Sequence, residues 1–208
     1  MLHYSTIEKP TLELLIMLQQ TPVFNDLRLV GGTSLALQIG HRISVDLDLF
    51  GSLEADEIAI THALRKYEET TQLRNTQNIR VYLINGIKVD LVNYPYPWLN
   101  DVVVADKLKL ASIYDIAAMK IAAVTGRGSK KDFIDIYFLL KQMTFMDMLN
   151  AYQQKYHDGS LFMALKSLIY FEDAENDEMP IMTKPLIWQE VKDTIKKEHL
   201  NYINNSKK

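Results

Sequence analysis

Two β-rich runs, Ile79 to Ile84 and Ile87 to Val92, flank the dipeptide Asn85-Gly86. Asn-Gly between alternating apolar residues is the strongest short-range signal for a hairpin, because both turn residues must take positive φ. A two-residue turn leaves no freedom of register. Ile84 pairs with Ile87, so Asp90 is predicted opposite Val81. In the second run Ile87, Val89 and Leu91 share one face, and Lys88, Asp90 and Val92 share the other. The chain therefore contains an antiparallel sheet with an acid among apolar neighbours.

A second acidic strand precedes it. Ser44-Val45-Asp46-Leu47-Asp48-Leu49-Phe50 alternates with period two, so Val45, Leu47 and Leu49 are expected to face a core and Asp46 and Asp48 to project together from the other side. Two carboxylates on one strand face repel each other. A divalent cation between them reverses that, and oxygen donors suit Mg²⁺. Just upstream, Gly31-Gly32-Thr33-Ser34 can bring backbone N–H groups and a hydroxyl to a phosphate. With Asp90 as a third acid, the pattern describes a site for a metal-bound nucleoside triphosphate, as two-metal nucleotidyl transfer requires.

Composition bounds the rest. The 208 residues, 48 % hydrophobic and 24 % charged, suffice for one or two compact domains. No cysteine is present, which excludes disulfides, thiolate ligands and a cysteine nucleophile and fits a cytoplasmic protein. No basic segment followed by an apolar stretch opens the chain, so no signal peptide is expected. No run approaches the ~20 apolar residues of a membrane helix. The net charge of −3 argues against a general nucleic-acid coat but leaves room for a basic cleft.

Helices are expected over Thr11–Gln20, Ser34–Gly40, Ala55–Tyr67 and Pro185–His199, with a strand over Leu27–Val30. From about Ser112 the pattern is helical, Ser112-x-x-Asp115 and Thr144-x-x-Asp147 reading as capping boxes. The last residues, Asn204 to Lys208, are expected to fray. The fold class is thus α+β: a small mixed sheet with helices in residues 1–100, then an all-helical part in residues 101–208.

Lys120 is the one charge in the run Ile116 to Val124, and its ammonium is expected to reach a rim partner such as phosphate. The following loop, Thr125-Gly126-Arg127-Gly128-Ser129-Lys130-Lys131, is basic and leads into a helix bearing Asp132 and Asp135. Each acid has a structural reading too: Ser129-x-x-Asp132 fits a capping box, and Asp135 can pair with Lys131 at i,i+4. Arg127, Lys130 and Lys131 also read as a solvated loop, and the acidic run Glu172 to Glu178 as a solvated surface.

These segments, in this order, resemble the AbiEii/AbiGii-type nucleotidyltransferase toxins, relatives of the DNA polymerase β superfamily. The resemblance rests on Gly31-Gly32-Thr33-Ser34-Leu35-Ala36-Leu37, His41-Arg42-x-Ser44-x-Asp46-Leu47-Asp48-Leu49-Phe50, Val89-Asp90-Leu91, Asp115-x-x-x-x-Lys120 and Lys131-Asp132-x-x-Asp135-Ile136-Tyr137. It implies a nucleotidyltransferase fold whose helical part completes the site, with an NTP donor, Mg²⁺, and often an RNA acceptor such as a tRNA end. Many members are the toxin of a bacterial toxin–antitoxin or phage-defence pair, so a cognate antitoxin is an implied partner. Carried over, Asp46, Asp48 and Asp90 bind metal, and Asp90 helps deprotonate the attacking hydroxyl. Gly31 and Gly32 with Thr33 or Ser34 hold the triphosphate, beside Arg42 and Ser44. Lys120 and Lys131 contact the nucleotide, and Asp132 and Asp135 complete the catalytic set. The family's minimal motif is Gly-Ser, whereas Thr33 follows the second glycine here, which leaves open which hydroxyl meets phosphate. Transfer to a small molecule and a non-catalytic binding module of the same fold are the competing readings.

Overall fold

The computed structural model describes residues 1–67 and 69–205. It divides into two compact units, Met1–Tyr96 with Asp101–Ala111, and Pro97–Asn100 with Ser112–Lys208.

The first unit is built on a seven-stranded mixed sheet. Its strands are β1 (Leu27–Leu29), β2 (Leu47–Gly51), β3 (Thr70–Asn75), β4 (Ile79–Ile84), β5 (Ile87–Asn93), β6 (Val103–Ala105) and β7 (Leu108–Leu110), in spatial order β3-β4-β5-β2-β1-β7-β6. The β4–β5 hairpin has the register its turn dictates, with Ile84 opposite Ile87 and Val81 opposite Asp90. Beside it β2 runs parallel to β5, pairing Asp48 with Asp90 and Leu49 with Leu91. On the other flank β1 is antiparallel to β2 and parallel to β7. One face of the sheet is apolar: Leu29, Leu47, Leu49, Ile84, Val89 and Leu91 are fully buried. They pack with Leu14, Leu15 and Leu18 of α1 (Lys9–Gln19) and with Ile60 and Leu64 of α3 (Glu57–Leu64). Each such side chain removed from water contributes about 1.5–3 kcal/mol, and this layer fixes which way the alternate residues point. Asp48 and Asp90 are left on the opposite face.

Several expectations shift in detail. The strand expected from Val45 begins at Leu47, and Val45 is 54 % exposed rather than core-facing. Helix α2 covers Gly31–Ile39, so Gly31 to Thr33 form its first turn instead of preceding it. Strands β6 and β7 fall in the part expected to be all-helical; each is three residues long, and their two-residue turn, Asp106-Lys107, takes positive φ without a glycine. The helical part therefore starts at Ser112.

The second unit holds α4 (Ile113–Gly126), α5 (Lys130–Leu139), α6 (Phe145–Lys155), α7 (Leu161–Ser167) and α8 (Trp188–Asn205). Thr144 and Asp147 form the expected capping box at α6. At α4 the Ser112 hydroxyl accepts the Asp115 N–H at 3.0 Å, as an N-cap should. The Asp115 carboxylate accepts the Ser112 hydroxyl at 2.6 Å, accepts the Leu99 N–H at 2.9 Å and pairs with the fully buried Lys155 at 2.8 Å. Lys155 also donates to the Pro97 carbonyl at 2.7 Å, so one ion pair ties the segment 97–100 to α4 and α6. Of the tail expected to fray, Asn204 and Asn205 are still helical, and residues 206–208 lie outside the described residues. No helix among the described residues is long and apolar enough to cross a membrane.

Candidate active site

The acids of the first unit are placed by β2, β5 and the turn into α2. Asp48 and Asp90 are register partners on adjacent parallel strands, so their backbones lie about 4.8 Å apart and both carboxylates leave the same face. Asp46 lies in the segment entering β2. That segment is fastened on both sides. The Ser44 N–H donates to the Thr6 carbonyl at 3.0 Å, and the Thr33 hydroxyl shares a 2.8 Å bond with the Ser44 hydroxyl and bonds the Asp46 carbonyl.

The glycine doublet has a steric reason. Gly31 has φ +67°, and a Cβ there would lie 2.1 Å from Asp48 Oδ2. A Cβ on Gly32 would lie 2.1 Å from the Arg42 guanidinium. A carboxylate and a guanidinium thus occupy the space that side chains at 31 and 32 would need, and the Val30 N–H bonds the Asp48 carbonyl at 2.8 Å to hold the turn against β2. Thr33 and Ser34 are buried, at 1 % and 0 % exposure. Their hydroxyls face inward: Thr33 toward Ser44 and Asp46, and Ser34 toward the Gln38 amide, which donates to it at 3.1 Å. Arg42 is buried as well and bonds the Ile43 carbonyl at 3.1 Å.

The strand pattern puts Lys88 on the Asp90 face without suggesting a role for it. Its ammonium forms an ion pair with Asp90 Oδ1 at 2.7 Å. Burial alone would lower the lysine's pKa; contact with Asp90 and the charges of Asp90, Asp48 and Asp46 together raise it instead. All three acids therefore act on one cation. Their oxygens are the hard donors that Mg²⁺ takes. With Lys88 against Asp90, no three acidic or histidine side chains among the described residues are gathered closely enough to hold an ion.

The acids of the second unit meet a lysine instead. Lys120 is buried, not at a rim, and its ammonium lies 2.9 Å from Asp132 Oδ1 and 2.6 Å from Asp135 Oδ2. Both carboxylates are fully buried. Asp132 also accepts from Arg127 Nε at 2.8 Å and from the Ser129 hydroxyl at 2.6 Å. Its burial would raise its pKa, yet Lys120, Arg127 and Ser129 hold it well below the usual carboxylate range. Ser129 is the N-cap residue of α5 but makes no side-chain capping bond, because its hydroxyl goes to the Asp132 carboxylate. Asp135 turns to Lys120, while Lys131 is exposed. Lys130 is not part of a solvated loop: it is buried and donates to the Glu175 carbonyl at 3.0 Å and to the Asp177 carbonyl. The acidic run is correspondingly more than a solvated surface, since Glu175 also pairs with Lys192 at 2.5 Å.

The family model described as nucleotidyl transferase AbiEii toxin, type IV toxin–antitoxin system, matches residues 13–202. This chain belongs to the AbiEii nucleotidyltransferase toxin family. A protein of Aquifex aeolicus, aq_aa25, whose function is uncharacterized, is 33 % identical over 189 residues, covering 88 % of this chain and 91 % of its own. Among solved structures, an H. pylori protein assigned to the nucleotidyltransferases superposes with a TM-score of 0.61 at 17 % identity, covering 93 % of this chain and 94 % of its own. MenT4, a nucleotidyltransferase toxin of Mycobacterium tuberculosis, superposes with a TM-score of 0.60 at 16 % identity, over 89 % of this chain and 79 % of its own. The two structures share the fold; the family match makes this AbiEii chain a nucleotidyltransferase.

Proposed function

We propose that this AbiEii protein moves a nucleoside monophosphate from an NTP to a hydroxyl of an RNA acceptor, a tRNA end being the model acceptor, with Mg²⁺ as cofactor. We propose further that it serves as the toxin of a bacterial toxin–antitoxin or phage-defence pair. The observation that carries the reading is the Asp48–Asp90 register pair, with Gly31 left bare to admit the Asp48 carboxylate. The family description supports the toxin role.

In this reading Asp46, Asp48 and Asp90 would hold Mg²⁺, which requires Asp90 to give up its ion pair with Lys88. Once bound there, Mg²⁺ would supply charge neutralisation at the phosphates. Asp90 accepts the proton of the attacking hydroxyl. The acceptor oxygen bonds to the α-phosphorus, the bond from that phosphorus to the bridging oxygen breaks, and pyrophosphate leaves. Thr33 keeps Asp46 in position through its backbone carbonyl. Since the Thr33 and Ser34 hydroxyls face inward, phosphate contacts fall to the N–H groups of the Gly31-Gly32 turn and to Arg42.

The test is incubation with each α-labelled NTP, Mg²⁺ and total RNA. Label should move to RNA of tRNA size in the wild type, and Asp48→Asn or a chelator should abolish it. Label that moves only to small molecules would replace RNA as the acceptor class, and transfer unaffected in Asp48→Asn would remove this carboxylate site from the mechanism.

A further inference from the structure

Three aromatic rings line up beside the acids in the first unit. Phe50 follows Asp48 by two residues on β2, so it leaves the same face, about 6.6 Å further along the strand. The Tyr94 ring is 5.3 Å from the Phe50 ring at 47°, and the Tyr96 ring is 5.4 Å from the Tyr94 ring at 59°. The Tyr94 N–H donates to the Gly51 carbonyl at 2.9 Å, which anchors the row at the end of β2 and β5. Pro95 and Pro97 alternate with the tyrosines and restrict the backbone that carries them. Phe24 and Phe133, by contrast, are sealed in the core at 1 % and 0 % exposure. Phe50, Tyr94 and Tyr96 all keep part of their surface in water. Arg28 is the register partner of Phe50 on β1, so its side chain leaves the same face.

We propose that Phe50, Tyr94 and Tyr96 form the platform on which the unpaired end of the acceptor RNA stacks, an inference that rests on the RNA reading given above. Direction along β2 selects the acceptor over the incoming nucleotide. The Gly31-Gly32 turn and Arg42 meet β2 at its Asp46–Asp48 end, and the aromatic row starts beyond Asp48 at the other end. Attacking and leaving oxygens lie roughly in line through the reacting phosphorus. With the triphosphate at the glycine turn, the attacking hydroxyl comes from the aromatic side. Stacking tolerates any base, since every base has a π face, so the row positions the strand end without reading its sequence.

The experiment compares wild type with Tyr94→Leu, Tyr96→Leu, Tyr94→Phe and Tyr96→Phe in Mg²⁺. Anisotropy of a fluorescein-labelled single-stranded RNA decamer reports acceptor binding; a fluorescent ATP analogue reports donor binding. Each leucine variant should bind the decamer about 5- to 150-fold more weakly, while the phenylalanine variants and all ATP-analogue affinities stay within about twofold of wild type. Full decamer affinity in both leucine variants overturns the platform. Losses shared equally by the ATP analogue also overturn it, by assigning the rings to the donor base. A phenylalanine variant as weak as its leucine counterpart overturns it too, since the hydroxyl and not the ring then binds. If wild type binds no decamer yet still transfers nucleotide to another acceptor, the RNA reading itself fails and the platform falls with it.

Discussion

Lys120→Met separates two roles for the lysine. It deletes the ammonium and keeps a flexible apolar stem of similar size. From sequence alone the helix should pack without that charge, and stability should hold. The structure reverses this expectation: the ammonium lies 2.9 and 2.6 Å from two carboxylates that are both fully buried. Its removal leaves Asp132 with Arg127 and Ser129 and takes from Asp135 its 2.6 Å ion pair. Breaking a buried pair by deleting one partner costs about 3–5 kcal/mol, which at about 2–4 °C per kcal/mol for a chain of this size lowers Tm by about 6–20 °C. The loss should also depend on pH. In the wild type Asp132 has a depressed pKa, so its contribution is complete above the unfolded value of about 3.9 and disappears only as pH falls through the lower folded value. In the variant the two carboxylates face burial without Lys120, and protonation relieves that cost. The Tm gap should therefore be larger at pH 7.5 than at pH 5. Calorimetry of both proteins at both pH values, with Lys120→Met/Asp135→Asn recovering part of the loss, is the assay. A variant that melts within about 2 °C of wild type but binds NTP at least tenfold more weakly would refute the argument and return Lys120 to the triphosphate.

Asp46→Asn, Asp48→Asn and Asp90→Asn should each lower nucleotidyl transfer by about 10²-fold or more, through lost electrostatic positioning. For Asp46→Asn and Asp48→Asn Tm should hold or rise as repulsion among the acids is relieved, whereas Asp90→Asn also loses its ion pair with Lys88; retained activity in any well-folded variant removes that residue from the set. Gly31→Ala places a Cβ 2.1 Å from Asp48 Oδ2 at φ +67°. It should lose activity and about 1–3 kcal/mol of stability, and a fully active, equally stable variant would show that the turn can move. Thr33→Val removes the hydroxyl that bonds Ser44 and the Asp46 carbonyl. With Asp46 loosened, kcat should fall about tenfold while NTP affinity changes little, because a misplaced group lowers the rate more than binding; a KM effect without a kcat effect would instead indicate contact between Thr33 and phosphate.

The parts of the fold legible in the sequence are those set by local rules. Asn85-Gly86 forces a two-residue turn, so the opposition of Val81 and Asp90 follows from the sequence alone. Period two assigns Asp48 and Asp90 to faces away from the core, and the family motifs give the order of the candidate residues. Lys88 is also readable in principle, because it stands two residues before Asp90 on the same strand face. The β6–β7 hairpin is harder to read, because its strands are three residues long and its turn has a lysine, not a glycine, at the second positive-φ position.

What the sequence determined by itself is the chemistry available: three acids on or next to strands, two bare glycines, a lone lysine in an apolar helix, and the family. What only the tertiary structure decided is which of these groups meet. The pairing of Asp48 with Asp90 joins strands distant in the chain, and no local pattern encodes a parallel register. The glycines are needed because a carboxylate and a guanidinium lie against them. Within α5, Asp132 and Asp135 could each have satisfied a local capping or i,i+4 pattern. They turn instead to Lys120 on α4, because an ammonium buried by helix packing requires counter-charge at contact distance.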